Sequence, residues 1–268
     1  MPHHAAADPE DVLAAVERSP AAAGAHDRSG WVGLFARTGS VEDPVGSRPH
    51  RGHAEIGRFY DTFIGPRDIV FHRDLDVVDG LTVVRALDLE VTMSSSISMT
   101  IPAYLRYDLV GGDLAVDRLR AHWELPAMVL EFARGGPAAL PVGLALTRSL
   151  LANQGLAGAA GFAGGFRRVG ARGRRTVTEF LDDVCAGDEV AVRRRVPDAG
   201  SVTLGDATRI GTSGLVARLR GGRWSRPIVA GRWVAATVEA DGRRGVLFVE
   251  VGTRPATITS VRLFVPAG

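Results

Sequence analysis

Lysine is absent from this sequence: all 32 basic residues are arginine. Chemistry that runs through a lysine amine, as a Schiff base or a nucleophile, is therefore excluded. Cysteine is nearly absent too. Cys185 stands alone, so no internal disulfide can form and a reducing compartment is the default. Long apolar runs are lacking, because the least polar stretch, 135–166, is interrupted by Pro137, Pro141, Arg148 and many glycines, which argues against a membrane span. Met1 to Asp11 has no basic segment followed by an apolar one, so it does not read as a secretory signal, and a cytoplasmic protein is expected. Metal-ligand spacing is missing: His50 and His53 lie in a loop without cysteine or acid partners, and His3-His4 is terminal. The glycines at 161–165 do not follow a strand, so they lack the context of a phosphate loop. The arginine runs at 167–175 and 193–195 have no interleaved aromatics, which suits a solvated surface better than nucleic acid. No metal, cofactor or nucleic-acid partner is expected.

What is present suits two domains. The chain has 268 residues, 46% of them hydrophobic, and a net charge of only +2, so each half can bury a core. Asp8-Pro9-Glu10-Asp11 is a helix start, with an acid cap and proline in the first turn. The helix carries Val12, Leu13 and Val16 on one stripe, and Pro20 is expected to end or kink it. Trp31 to Phe35 reads as a short second helix ending near Gly39, and Ala54 to Phe63 as a third. Ile69–Val78, Thr82–Met93, Ser96–Leu109 and Leu114–Trp123 read as strands, separated by glycine turns. Three helices on a curved antiparallel sheet of four to five strands is an α+β arrangement. Residues 129–172 read as an apolar linker containing a helix over Ala138 to Asn153. Its 138–166 stretch, with arginines behind it, also offers a peripheral membrane contact.

The second half repeats the first. Thr176 to Val184 has helical spacing, and strands follow at Trp233–Glu239, Gly245–Val251 and Thr257–Val265. Asp27 precedes Ser40-Val41 by thirteen residues, as Asp188 precedes Ser201-Val202, while Ala25 matches Ala186 and Gly52 matches Gly211 after a two-residue deletion. A whole-domain repeat follows: a first domain over 1–128, the linker, and a second domain over 173–268.

One ordered string carries chemistry. Val41-Glu42-Asp43-Pro44-Val45-Gly46-Ser47, then Arg51-Gly52 and Ile56-Gly57-Arg58-Phe59-Tyr60, resembles the ketosteroid isomerase (steroid Δ-isomerase) and SnoaL-like branch of the NTF2-like superfamily. Leu34-Phe35-Ala36 and Ala121-His122-Trp123 extend the resemblance over roughly residues 10–125. It implies a cone-shaped fold in each half, helices closing a bent sheet over an apolar pocket. It further implies Asp43 as general base, with Ser19, Phe35, Tyr60, Ala103 and Trp123 at or around the pocket. One carboxylate that reaches two carbons suffices to move a double bond beside a ketone, provided an apolar pocket raises its basicity.

The string also departs from the family. The resemblance places the family's oxyanion tyrosine at Ser19 and its acidic donor at Ala103, so both donors are missing. Tyr60 is the favoured replacement; Tyr104 and His122 fall on the opposite strand faces from Ala103 and Trp123. In the second half Asp43 maps onto Leu204 and Ser19 onto Phe180, and Asp206 sits in a Gly-Asp turn that suits a solvated role. The second domain therefore reads as structural, a packing partner of the kind a homodimer supplies, and the chain as a monomer or a homodimer. The expected activity is proton transfer on a steroid-like or polycyclic ketone. A non-catalytic carrier of a small hydrophobic ligand is the alternative. A polyether-type epoxide hydrolase or cyclase is the third, and it needs a second carboxyl group from Asp68, Asp88 or Glu90.

Overall fold

Two units of the same build follow one another in the chain, Met1–Phe166 and Arg167–Gly268. The structure is a computed structural model and describes residues 7–94, 97–134, 136–196, 201–253 and 257–266. His3, His4 and Ser96 lie outside the described residues.

In the first unit, α1 (Pro9–Gly24) starts where the Asp8 carboxylate accepts the Glu10 amide. It runs through Pro20 to Gly24, contrary to the expected break. The missing proline N–H removes one bond, and the face carrying Val12, Val16, Ser19 and Ala23 is fully packed on both sides of it. Glu17 on that helix meets Arg85, 2.7 Å away on the sheet. A short α2 (Arg28–Gly33) is capped by Asp27, and the chain then enters β1 (Phe35–Glu42), so Gly39 lies inside a strand rather than ending a helix. After β2 (His50–Arg51) comes α3 (Gly52–Phe59), which widens into a π turn over Tyr60–Ile64. Three long strands and a shorter one follow: β3 (Asp68–Asp79), β4 (Thr82–Ser94), β5 (Ile97–Val110) and β6 (Ala115–His122). The sheet has six strands in the order β2-β1-β6-β5-β4-β3, with β1 parallel to β6 and the other pairs antiparallel. Of the stretch 129–172 read as a linker, residues through Phe166 fall in this unit. They form α4 (Leu125–Arg134) and α5 (Ala139–Ala163), the latter broken at Gly155.

The second unit contains α6 (Gly170–Ala186), α7 (Glu189–Arg195), β7 (Val202–Leu204), β8 (Thr208–Arg209) and α8 (Gly211–Leu219). The hairpins of β9 (Arg223–Ala230), β10 (Trp233–Ala240), β11 (Arg243–Val251) and β12 (Ile258–Phe264) complete it. Its strand order, β8-β7-β12-β11-β10-β9, is that of the first unit. The repeat holds residue by residue. Asp27 and Asp188 both cap short helices, accepting the amides of Gly30 (2.8 Å) and Ala191 (2.9 Å). Gly52 and Gly211 both open a helix at positive φ, 67° and 64°, a conformation that disfavours a side chain. The sequence reading missed β1, β2 and β7 to β9: β2, β7 and β8 have two or three residues and carry no countable alternation, and β1 and β9, eight residues each, do not alternate regularly between buried and exposed positions.

Candidate functional site

The concave face of the first sheet and the helices over it enclose a cavity of about 280 Å³ within the first unit. Its wall is apolar almost throughout. The odd-numbered residues of β5, Met99, Ile101, Leu105 and Tyr107, face it, as strand alternation requires. Among the lining side chains only Asp43 and Arg67 carry a charge.

Asp43 follows the last residue of β1, and the turn behind it is tightly bonded. The Val45 amide donates to the Ala121 carbonyl (2.8 Å), the Ser47 amide to the Pro44 carbonyl (3.0 Å), and the Gly46 amide to Glu42 Oε1 (2.8 Å). The strand pair β1–β6 thus sets the turn beside the end of β6, where Trp123 Nε1 donates to Asp43 Oδ1 at 2.6 Å. Burial raises the Asp43 carboxyl to about 6, and the Trp123 bond, which favours the anion, offsets part of that rise. A carboxyl in this range is largely ionised at neutral pH and far more basic than a solvated one.

The glycines at 161–165 have a structural purpose here. The Arg48 amide donates to the Gly161 carbonyl (3.1 Å). A Cβ on Gly161 would stand 2.7 Å from Arg48 Cβ, and one on Gly165 would stand 2.9 Å from Pro44 Cγ and 3.0 Å from a Leu125 methyl. Those separations are below any normal carbon contact, so only glycine lets this turn lie directly on the Asp43 loop. This part of the stretch read as an apolar linker is thus fitted closely against the Asp43 loop.

Residues 12–105 match the model of the nuclear transport factor 2 (NTF2) domain. That match covers about a third of the chain, all of it within the first unit. Solved structures similar to the chain cover about half of it. A Δ5-3-ketosteroid isomerase from Mycobacterium sp. is 28% identical, covering 45% of this chain and 97% of that one, with a TM-score of 0.41. The epoxide hydrolase/cyclase-like enzyme SalBIII is 20% identical over 44% of this chain and 95% of its own, with a TM-score of 0.41. An LEH-like epoxide hydrolase of Mycobacterium tuberculosis is 16% identical over 50% of this chain and 97% of its own, with a TM-score of 0.42.

Within the first unit, three of the residues singled out from sequence line one cavity: Asp43, Ser19 and Trp123. The other three do not line it. Phe35 is buried against Trp31, with ring centroids 4.9 Å apart. Ala103 is buried in the same core, and its methyl is too short to reach the cavity surface between Ile101 and Leu105. Tyr60, the favoured replacement donor, packs on Trp31 at 5.6 Å, and its buried hydroxyl has no hydrogen-bond partner among the described residues. His122 and Tyr104 pair on the other face of the sheet and are buried there. Burial, with Arg120 and Arg106 nearby, pushes the His122 imidazole down to about 3, so it is neutral.

The sequence reading overlooked Tyr107. It lies on the cavity face, four residues along β5 from Ala103. Its hydroxyl donates to Ser19 Oγ over a long 3.4 Å, and Trp31 Nε1 donates to the same oxygen at 3.2 Å. Burial, chiefly, and the Asp43 charge, among smaller causes, raise the Tyr107 hydroxyl above its usual value, whereas the Ser19 bond lowers it. The parity of β5 was the available signal: a residue four positions from Ala103 must share its face. Arg67, the second charge in the wall, stands just after the π turn, where no periodic pattern marked it. The alternative acids are elsewhere. Asp68 bonds His26 (3.1 Å), Glu90 bonds His72 (2.8 Å), and neither they nor Asp88 line the cavity.

Proposed function

We propose that the first unit binds a steroid-like or polycyclic ketone and transfers a proton on it, with Asp43 as the general base. The observation that carries this reading is the Asp43 carboxyl, set half-buried in the wall of an apolar cavity, raised to about 6 and oriented by Trp123. A carboxylate without solvation is destabilising to hold, and proton abstraction beside a carbonyl is the chemistry that uses it. The enolate oxygen then needs a donor. Tyr107 serves, exchanging its long bond to Ser19 for one to the ligand, and the serine hydroxyl relays a second hydrogen bond. The wall offers one carboxyl group and no second acid, which favours proton transfer over an epoxide-opening pair.

The test is conversion of a 5-ene-3-ketosteroid to its conjugated isomer, followed by ultraviolet absorbance, with wild type and Asp43→Asn. Turnover by wild type and a loss of about 10³-fold in the variant are expected. Tight binding of the conjugated product without turnover favours the second reading, a carrier that uses the same cavity. The missing donors at Ser19 and Ala103 are the observation on that side. The helix α5 also leaves Leu140, Leu144 and Leu156 at 73%, 56% and 81% exposure, which supports peripheral contact with a lipid surface. Flotation with anionic vesicles tests it: protein that stays wholly in the soluble fraction removes that contact. No helix among the described residues is long and apolar enough to cross a membrane.

A further inference from the structure

Arg67 is a cation in an apolar wall, and no carboxylate among the described residues pairs with it. Its Nη1 donates to the Thr62 carbonyl at 2.5 Å and its Nε to Met93 Sδ at 3.2 Å, the latter a weak acceptor. The adjacent Asp68 turns outward to His26. A guanidinium cannot shed its charge by deprotonation as a lysine can, so its half-buried position costs free energy unless an occupant supplies an anion. The residue also stands where the cavity meets the surface, since two shallower clefts share Arg67 and Met93 with it.

Strand register puts this end far from Asp43. Asp68 pairs with Thr92, and Thr92 with Ser98, whereas His122, next to Trp123, pairs with Tyr104. Ser98 to Tyr104 is six residues along β5, roughly 20 Å of strand. The cavity is therefore an elongated apolar space with an acid at its inner end and an unpaired cation at its mouth.

We propose that Arg67 is an anion-binding subsite, and that the ligand is an elongated apolar molecule carrying a carboxylate at the end remote from the group that meets Asp43. This rests on the reading that the cavity takes a polycyclic ketone. The carboxylate neutralises Arg67 in a bidentate bond as it enters, and it fixes which end goes in first. A neutral ligand of the same shape gains only the apolar burial.

Calorimetric titration of the whole chain, at low ionic strength and near neutral pH, separates these contributions. The probes are a 4-ene-3-ketosteroid bearing a 17β-carboxylate and the methyl ester of the same compound. Wild type is expected to bind the acid at least tenfold more tightly than the ester. Arg67→Met loses that preference, so that acid and ester bind it alike, and Arg67→Lys recovers part of it. Equal binding of acid and ester by wild type, or a preference that survives in Arg67→Met, overturns the inference and leaves the reading of the cavity intact, because the ester still binds. Failure of both compounds to bind wild type overturns that reading, and the inference falls with it. If Arg67→Met also loses the ester through damage to the fold, Arg67→Gln keeps a donor for the Thr62 carbonyl and is judged by the same two outcomes.

Discussion

Side by side, the two units share a strand order and differ in strand length and in the residues at two matched positions. In the first, β3, β4 and β5 run 12, 13 and 14 residues; in the second, β9, β10 and β11 run 8, 8 and 9. Four or five extra residues lengthen a strand by roughly 13–16 Å, and that extension carries Ile69, Val91, Met99 and Ile101 into the cavity wall. Where the first unit has Ser19 under the cavity, the second has Phe180, fully buried in its core. Where the first has Asp43, the second has Leu204, half-buried against its core. The comparison teaches that the shared topology makes a core, while the cavity depends on longer strands and on small or polar residues at two helix and strand positions. Asp206, two residues beyond Leu204, sits in an exposed turn with Arg262 3.0 Å away and does not restore the acid.

Exchanging the two solutions is the strongest way to break this comparison. Phe180→Ala empties a fully buried position and is expected to destabilise the second unit by about 3–5 kcal/mol, read by denaturant unfolding. Ser19→Ala in the first unit should cost about 1 kcal/mol, since it removes only an acceptor of two long bonds. Equal losses would mean that Ser19 is as much a core residue as Phe180.

Tyr107→Phe sharpens the contrast at the level of chemistry. Under the proposed reading, loss of this hydroxyl is expected to lower turnover of the ketosteroid about 10²–10³-fold with little change in folding. Tyr60→Phe should leave turnover nearly unchanged, because that hydroxyl does not line the cavity. The reverse pattern would return the donor role to Tyr60.

The pH dependence of stability comes next. The folded carboxyl of Asp43 titrates at about 6 against an ordinary 3.8, so the native state binds this proton more tightly than the unfolded chain does. Its contribution is fully present below about pH 4 and is lost as pH rises through 6, a change of about 3 kcal/mol. Asp43→Asn lacks this term. Its stability relative to wild type is expected to rise by that amount between pH 4 and 8, measured by urea titration at each pH. Leu204→Asn has no matching term, so a pH-dependent difference there would show that the units are more alike than their sequences.

The smallest effect concerns the bond that orients the Asp43 carboxylate. Trp123→Phe removes a donor that favours the anion, so the pKa of Asp43 should move further up, by about a unit. The midpoint of the pH–rate profile moves to higher pH with it. An unmoved midpoint would show that Trp123 only fills space.

Much of this was legible in the chain. The alternating runs located β3 to β6 within two residues, because long amphipathic strands keep a countable period. The Asp27 and Asp188 register revealed the repeat, since helix caps depend on local chemistry that survives when the rest diverges. The site was less legible. Tyr107 was in view but unused, Phe35 and Tyr60 belong to the packing around Trp31 rather than to the wall, and Arg67 had no pattern to announce it. The glycines at 161–165 showed their composition but not their contact with Pro44, which lies more than a hundred residues earlier in the chain.

By itself, then, the sequence determined the α+β order of elements, the duplication, the lack of lysine chemistry and the singular position of Asp43. These follow from local periodicity, capping and residue chemistry, all of which act over a few neighbouring residues. Tertiary structure alone decided that Asp43 is desolvated and bonded to Trp123, that Tyr107 and Arg67 share its cavity, and that α5 and its glycine turn close the first unit. Those facts are sums over contacts between distant segments, and a carboxyl's basicity or a cation's lack of a partner exists only once such contacts have excluded water.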